Sequence, residues 1–305
     1  MAELDLGELL AIGERAAFHG PPGRAVQALE QAVGVARESG RSAEATAAAW
    51  LLGLSLNAAG RYGHALEVLI PLLTSGEEAA APPEVRLFAA LAGATLGSVH
   101  RQLGMHEAAR GMDERGLALT DGTGEPAFAC RLGIAADSVG LGDSGTAHAE
   151  ADAASTLLPD RPTEWWRQRV HYDWVRTEIG LLDDDAESAV DAADSAVERA
   201  ERARAPRHVA KSLLFLGVAQ VQLGMQEGAG SLRRAATLAE GLGALPLVWP
   251  ARALLGALLM DSDEAEGATC LGAARSAVLS IAGNLPVDLR NTWLARPDLA
   301  ALLEG

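Results

Sequence analysis

The densest chemistry in this 305-residue chain lies in TEWWRQRVHYDWVRTE, residues 163–178. The segment holds Trp165, Trp166, Tyr172 and Trp174, four of only twelve aromatic residues, together with Arg167, Arg169, Arg176 and His171. Arg167, His171, Trp174 and Glu178 are spaced four, three and four apart, which puts them on one face of a helix. Trp and Arg side chains join large buried area to directional hydrogen bonding, and so dominate recognition surfaces. The chemistry suggested is the holding of a peptide, an acidic tail or a small polar ligand. The plainer alternative is an ordinary polar helix face, with Trp165 and Trp166 used for packing.

Other chemical strings carry less. GDSG at 142–145 copies the sequence around a trypsin-like nucleophile, but that chemistry needs a β-barrel, a positioned histidine and an oxyanion hole. Asp183-Asp184-Asp185 lacks the alternating ligands and closing glutamate of a calcium loop, and reads as a helix N-cap. Asp184 followed by Glu187 fits a capping box. Glu77-Glu78 and DSDEAE at 261–266 read as solvated turns. The seven histidines never fall at i,i+4 or in HExxH, so no metal is expected. Cys130 and Cys270 stand far apart without a CxxC, as reduced, buried residues. No nucleophile–base pair follows from spacing, and neither catalysis nor a cofactor is expected.

Composition narrows the partners. The net charge is 25 − 41 = −16, which argues against nucleic acid and anionic membranes, since both need basic surface. A basic partner, or a small ligand in a locally basic pocket, remains open. The chain is 49% hydrophobic, mostly Ala, Leu and Val, and small side chains favour helix-on-helix packing. MAELDLGELL is acidic where a secretory leader needs a basic region, and the apolar stretch 242–260 is broken by Pro246, Pro250 and Arg252. A soluble, cytoplasmic protein is expected.

These residues are positioned by a repeat. Small residues recur at 13, 53, 97, 133, 177, 217 and 256, each in a phrase of similar sequence, at intervals of 40, 44, 36, 44, 40 and 39. Such a period marks stacked supersecondary units. Gly13, Gly53, Gly97, Gly133, Gly217 and Gly256 fill the first position in six copies, with Thr177 in the fifth. Glycine inside a helix costs about 0.8–1 kcal/mol relative to alanine, so its recurrence implies close approach of paired helices. Ala25, Ala65, Ala109, Ala189, Ala229 and Ala268 are expected to face it across the hairpin. Gly60, Gly104 and Gly224 read as left-handed helix stops, with turns near 20, 60, 104, 140, 184, 224 and 263. Pro126 and Pro250 are expected in the first turns of their helices. The fold expected is an all-α, right-handed solenoid of seven helical hairpins over residues 1–284, with capping helices over 285–305.

The phrase resembles the tetratricopeptide repeat, best in the second copy, where Leu52, Gly53, Gly60, Tyr62 and Ala65 occupy the family's positions. The resemblance covers about residues 6–284. Its longer period is similar to that in the sensor regions of bacterial signalling ATPases and their transcription activators. The sequence has no Walker A motif and no recognisable helix-turn-helix.

In such arrays the first helices line a concave groove. The resemblance then places Trp50 and Asn57, Ser98, Arg101 and Gln102, Asp137 and Ser138, and Lys211 and Gln222 beside the Arg167 face. It implies a non-enzymatic scaffold or adaptor that binds a protein or peptide segment, basic or carboxylate-bearing. The alternative is a sensing domain of a bacterial signalling or transcriptional regulator, in which a ligand shifts the superhelix between curvatures.

Overall fold

The computed structural model describes residues 5–161 and 163–304, which form sixteen helices and no strand. Fourteen helices pair into seven hairpins. The first four are α1 (Leu6–His19) with α2 (Pro22–Glu38), α3 (Ser42–Ala58) with α4 (Tyr62–Glu77), α5 (Pro83–Gln102) with α6 (His106–Ala118), and α7 (Gly124–Gly140) with α8 (Ser144–Ser155). The remaining three are α9 (Trp166–Leu182) with α10 (Ala186–Arg202), α11 (Pro206–Gln222) with α12 (Gly228–Leu242), and α13 (Leu245–Leu259) with α14 (Glu264–Ala282). Two short helices follow, α15 (Val287–Leu294) and α16 (Pro297–Glu304).

The turns show why the phrase recurs. Gly60, Gly104 and Gly224 sit at φ of 77°, 76° and 75°, which a side chain would resist. At Gly60 the reversal lets Arg61 N donate to Leu56 O at 2.9 Å, satisfying a carbonyl at the end of α3. The fourth turn uses Gly142 at φ 75°, while Gly140 ends α7. In the fifth, Asp184 takes the left-handed position at φ 59° and therefore cannot cap α10. The cap falls one residue later, where Asp185 accepts from Ser188 N at 3.1 Å. Pro250 also departs from expectation. Helix α13 starts at Leu245 with Pro246 in its first turn, leaving Pro250 in the helix interior, where its missing N–H removes one internal bond.

The recurring helical glycine is explained by a leucine, not by the alanine expected opposite it. A Cβ on Gly53 would collide with Leu69, one on Gly13 with Leu29, one on Gly217 with Leu232 and one on Gly256 with Leu271. Each leucine lies one turn beyond the recurring alanine, because helical side chains lean toward the N-terminus and cover the preceding turn. Ala25, Ala65, Ala109 and Ala189 are fully buried beside this contact, whereas Ala229 is half-buried and Ala268 exposed.

The stack curves until its end meets its beginning. Helices α14, α15 and α16 share one apolar core with α1 to α5, in which Ile281, Trp293, Leu299 and Leu302 pack with residues such as Leu56, Tyr62 and Leu96. Trp293 is 1% exposed, meets Tyr62 edge to face at 6.4 Å, and donates Nε1 to Gln102 O at 3.2 Å. Arg296 Nη1 donates to the same carbonyl at 3.1 Å. Glycine permits the approach: at Gly63 a Cβ would run into the Asn284 carbonyl oxygen and Pro286. The closing helices therefore pack on α14 and also bridge the turn edge of the second and third hairpins. Leu254 and Leu258, on the last first helix, are each 41% exposed.

Candidate functional site

The concave face holds a cavity of about 360 Å³, lined by side chains from α1, α3, α5, α7, α9 and α11, the first helices of six hairpins, and by His106 of α6. Helix α1 reaches α9 at its rim. His19 and Trp166 rings lie 5.5 Å apart, and the Arg167 guanidinium sits 4.3 Å above the Phe18 ring. Helices α1, α3, α5 and α7 contribute apolar lining, Phe18, Trp50, Leu54, Leu91, Phe128 and Leu132. Helices α9 and α11 contribute Arg167, His171, Trp174, Glu178, Arg207 and Lys211.

Arg167, His171, Trp174 and Glu178 all line this cavity, as do Trp50, Asn57, Ser98, Arg101, Gln102 and Lys211. Their environments differ. Arg167 is paired with Glu125, which sequence reasoning had not picked out. Trp174 is only 5% exposed and donates Nε1 to Ser212 Oγ at 2.8 Å, so most of its ring is core. His171 stacks on it at 4.7 Å, and Lys211 Nζ lies 4.3 Å above the same ring. Trp50 Nε1 donates to Thr95 Oγ1, and Asn57 Nδ2 to Ser98 Oγ. Gln102 contributes its carbonyl to the ring closure.

Three expected positions fall elsewhere. Asp137 and Ser138 are fully buried behind the cavity wall, and Gln222 is exposed at the end of α11 without lining it. Trp165 and Trp166 serve packing: Trp165 meets Phe128 at 6.1 Å, and Trp166 meets His208 at 5.1 Å.

Behind Arg101 lies a buried ionic cluster. Its Nη1 donates to Asp113 Oδ2 at 2.9 Å and to Gly133 O at 2.9 Å, and lies 2.8 Å from Asp137 Oδ2. Both carboxyls have no solvent exposure. Asp113 stands where the other hairpins place the leucine. A Cβ on either Gly97 or Gly133 would collide with its carboxyl, so it fills the gap of two successive hairpins. Burial pushes Asp113 well above the usual carboxylate range, against the pull of Arg101, and the neighbouring Asp137 adds to the rise. The two carboxylates in turn outweigh the burial of Arg101 and strengthen its hold on its proton. Repeat register carried the signal for Asp113: it follows Ala109 by four residues, as Leu69 follows Ala65.

Arg207 and Lys211 differ from Arg101 and Arg167, the other two cations of the cavity. They are four residues apart on α11, and among the described residues no carboxylate oxygen lies within 4 Å of either. The Arg207 Nε is buried without a hydrogen-bond partner. Burial lowers Arg207 to about 10, helped by repulsion from Arg167. Burial also lowers Lys211 to about 8, against the more distant Glu178 carboxylate. His171 and His208 stack at 5.7 Å beside them, with His171 Nε2 and both His208 ring nitrogens unpartnered. Burial holds both imidazoles well below the ordinary histidine value, with the surrounding arginines and Lys211 adding to the effect. The site combines aromatic and apolar lining with four cations, of which Arg101 and Arg167 are ion-paired and Arg207 and Lys211 have no carboxylate within 4 Å among the described residues.

The GDSG string leads to a different geometry. Ser144 Oγ donates to Asp183 Oδ1 at 2.6 Å, and His148 Nε2 lies 2.7 Å from Asp183 Oδ2. The carboxylate stands between hydroxyl and imidazole, so the histidine is not placed to take the serine proton. Among the described residues no group of three His, Cys, Asp or Glu side chains is arranged to hold a metal ion, and no helix is long and apolar enough to cross a membrane.

No protein-family profile and no curated protein sequence matches the chain. Among solved structures it is similar to a Rap protein complexed with competence and sporulation factor, at 11% identity and a TM-score of 0.66, over 98% of this chain and 89% of that one. It also aligns with the apo form of RapI at 10% identity and a TM-score of 0.49, over 98% of this chain and 84% of that one. Yeast Tom70 aligns at 12% identity and a TM-score of 0.46, over all of this chain and 68% of that one. The likeness to the Rap complex is one of fold: the chain is a helical-repeat solenoid of the same general architecture.

Proposed function

We propose that this chain is a non-enzymatic binding protein, soluble and cytoplasmic, that captures a peptide or protein segment in the cavity enclosed by its first helices. One observation carries the reading: the first helices converge aromatic side chains and four cations, two of them without a carboxylate within 4 Å among the described residues, on a single concave space, the arrangement expected of a ligand pocket. The Rap protein of the same fold was solved with a bound factor, and binding of that general kind is what we carry across. Enclosure favours a second reading, a sensing domain of a signalling or transcriptional regulator, because an occupant that touches α1, α3 and α11 together must bias how tightly the ring closes.

A plug tests the proposal. Ala94 lines the cavity, and Ala94→Trp would fill it. Purified wild type and variant, matched for helix content and Tm, are incubated in native lysate, washed and acid-eluted, and the released peptides sequenced by mass spectrometry. Peptides held by wild type and lost from the variant are the expected result. Equal yields from both would overturn it.

A further inference from the structure

Four cations and four carboxyls surround the cavity, but they are unevenly paired, and the cation left over describes the occupant. Four cations line the cavity: Arg101, Arg167, Arg207 and Lys211. Arg101 is covered by the Asp113–Asp137 pair and Arg167 by Glu125. Lys211 has Glu178 as a distant counter-charge, and Arg207 has none. A partly buried guanidinium with an unpartnered Nε is an expensive feature in a folded chain, since a buried donor without an acceptor loses its hydration for nothing. It is odder still here. The protein carries a net charge of −16, so carboxylates to neutralise it are abundant in the sequence. Arg207 and Lys211 sit one turn apart on α11, so their heads can converge on one acceptor.

The apolar lining sets the rest of the ligand. Phe18, Trp50, Leu54, Leu91, Phe128 and Leu132 offer apolar surface, and a volume of about 360 Å³ lies at the small end of ligand pockets. An extended, highly charged chain does not suit that space.

Resting on the binding reading above, we propose that the occupant is an apolar or aromatic body ending in a single carboxylate, with the carboxylate on Arg207 and Lys211 and the body against Phe18, Trp50 and Leu54. A peptide's C-terminal residue presents this chemistry, and so does a free aryl or alkyl acid. Guanidinium and carboxylate form charge-assisted, fork-shaped hydrogen bonds, and among the described residues the Arg207 Nη atoms have no partner and, unlike its buried Nε, remain open for them. In the empty protein the two cations repel; in the complex they share an anion.

The experiment titrates the full chain, by calorimetry, with three pairs of probes: 3-phenylpropanoate and its amide, acetyl-Ala-Phe with a free or amidated C-terminus, and acetyl-Ala-Ala-Leu-Phe likewise. The free acids are expected to bind roughly 10- to 100-fold tighter than their amides, the range of one charge-assisted contact pair. In Arg207→Gln that preference should vanish while Tm stays level or rises, because the variant removes an uncompensated charge. Amides that bind as tightly as acids, or an acid preference that survives in Arg207→Gln, would overturn the proposal, as would a failure of every probe to bind. Preference for 3-phenylpropanoate with no peptide binding would support the carboxylate chemistry and sink the peptide reading. A loss of peptides from the plugged Ala94→Trp variant, together with no acid preference, would do the reverse.

Discussion

Arg101 donates to Asp113 across 2.9 Å at the place where the second hairpin packs Leu69 against Gly53. One apolar plug of the repeat has thus been exchanged for an ion cluster in which a single guanidinium serves two buried carboxyls.

That ratio makes the cluster asymmetric to substitution. Asp113→Leu restores the leucine of the other hairpins and leaves one cation with one carboxylate. We expect it to be neutral or stabilising by about 1–4 kcal/mol, as when buried ion groups are replaced by well-packed apolar ones. Arg101→Met strands Asp113 and Asp137 together and should cost about 3–5 kcal/mol. Urea unfolding of both variants checks the pair; equal losses would mean the carboxyls are solvated despite their burial.

Gly63 tests the ring closure. Gly63→Ala drives a methyl into the Asn284 carbonyl and should lose about 1–3 kcal/mol, because the opposing atom is backbone and cannot swing aside. Trp293→Ala empties a fully buried site in the same contact and should lose about 3–5 kcal/mol. Gly34 is the control: it lies exposed within α2 with nothing within 4 Å of a Cβ, and Gly34→Ala should gain about 0.5–1 kcal/mol. Thermal melts of the three give the order.

Acid should weaken the protein through its stacked histidines. Burial holds His208 well below its unfolded value, so the unfolded chain takes up a proton that the folded one refuses. Stability is therefore intact above the ordinary histidine pKa of about 6.5 and falls below it, by up to about 1.4 kcal/mol per pH unit and per proton. Asp113 acts in the opposite sense, since its raised pKa makes its burial less costly as pH falls. Comparison of wild type with His208→Phe removes that common term. Between pH 7 and pH 5 the variant should lose less stability, and parallel losses would refute the assignment.

Lys211 gives the alkaline counterpart. Its folded value of about 8 lies below the 10.5 of a free lysine, so the unfolded chain again binds the extra proton. Stability contributed by this group rises between those two values. The difference between Lys211→Met and wild type should accordingly be largest near pH 7 and shrink by pH 10, measured as Tm against pH.

Much of the scaffold could be read from the order of residues, because glycine has local meanings: Gly53 and Gly60 mark a contact and a turn whatever lies beyond them. The cavity face at 167–178 was legible for a related reason, being a periodic set on one helix. Arg207 escaped notice because it lies ten residues before Gly217, in the first turn of α11, and enters the cavity only through the curvature of the stack. Asp137 was placed on the groove by its register, yet Arg101 reaches over it from α5 and seals it in. Ring closure was invisible for the same reason: the meeting of Gly63 with Asn284 depends on small rotations summed over several hairpins, and no local pattern records that sum.

The contact of Trp293 with Gln102 joins residues 191 positions apart, in an architecture whose other contacts are mostly between neighbours. An open array of this kind can fray from an end, one unit at a time, with stability close to a sum over units and interfaces. Here the last helices and the first five share a core, so loss of the terminal unit also exposes the second and third. Unfolding has no free end at which to begin. The chain should behave as a loop that opens in one cooperative step, and its slowest folding event should be the search that brings residue 293 back to residue 102.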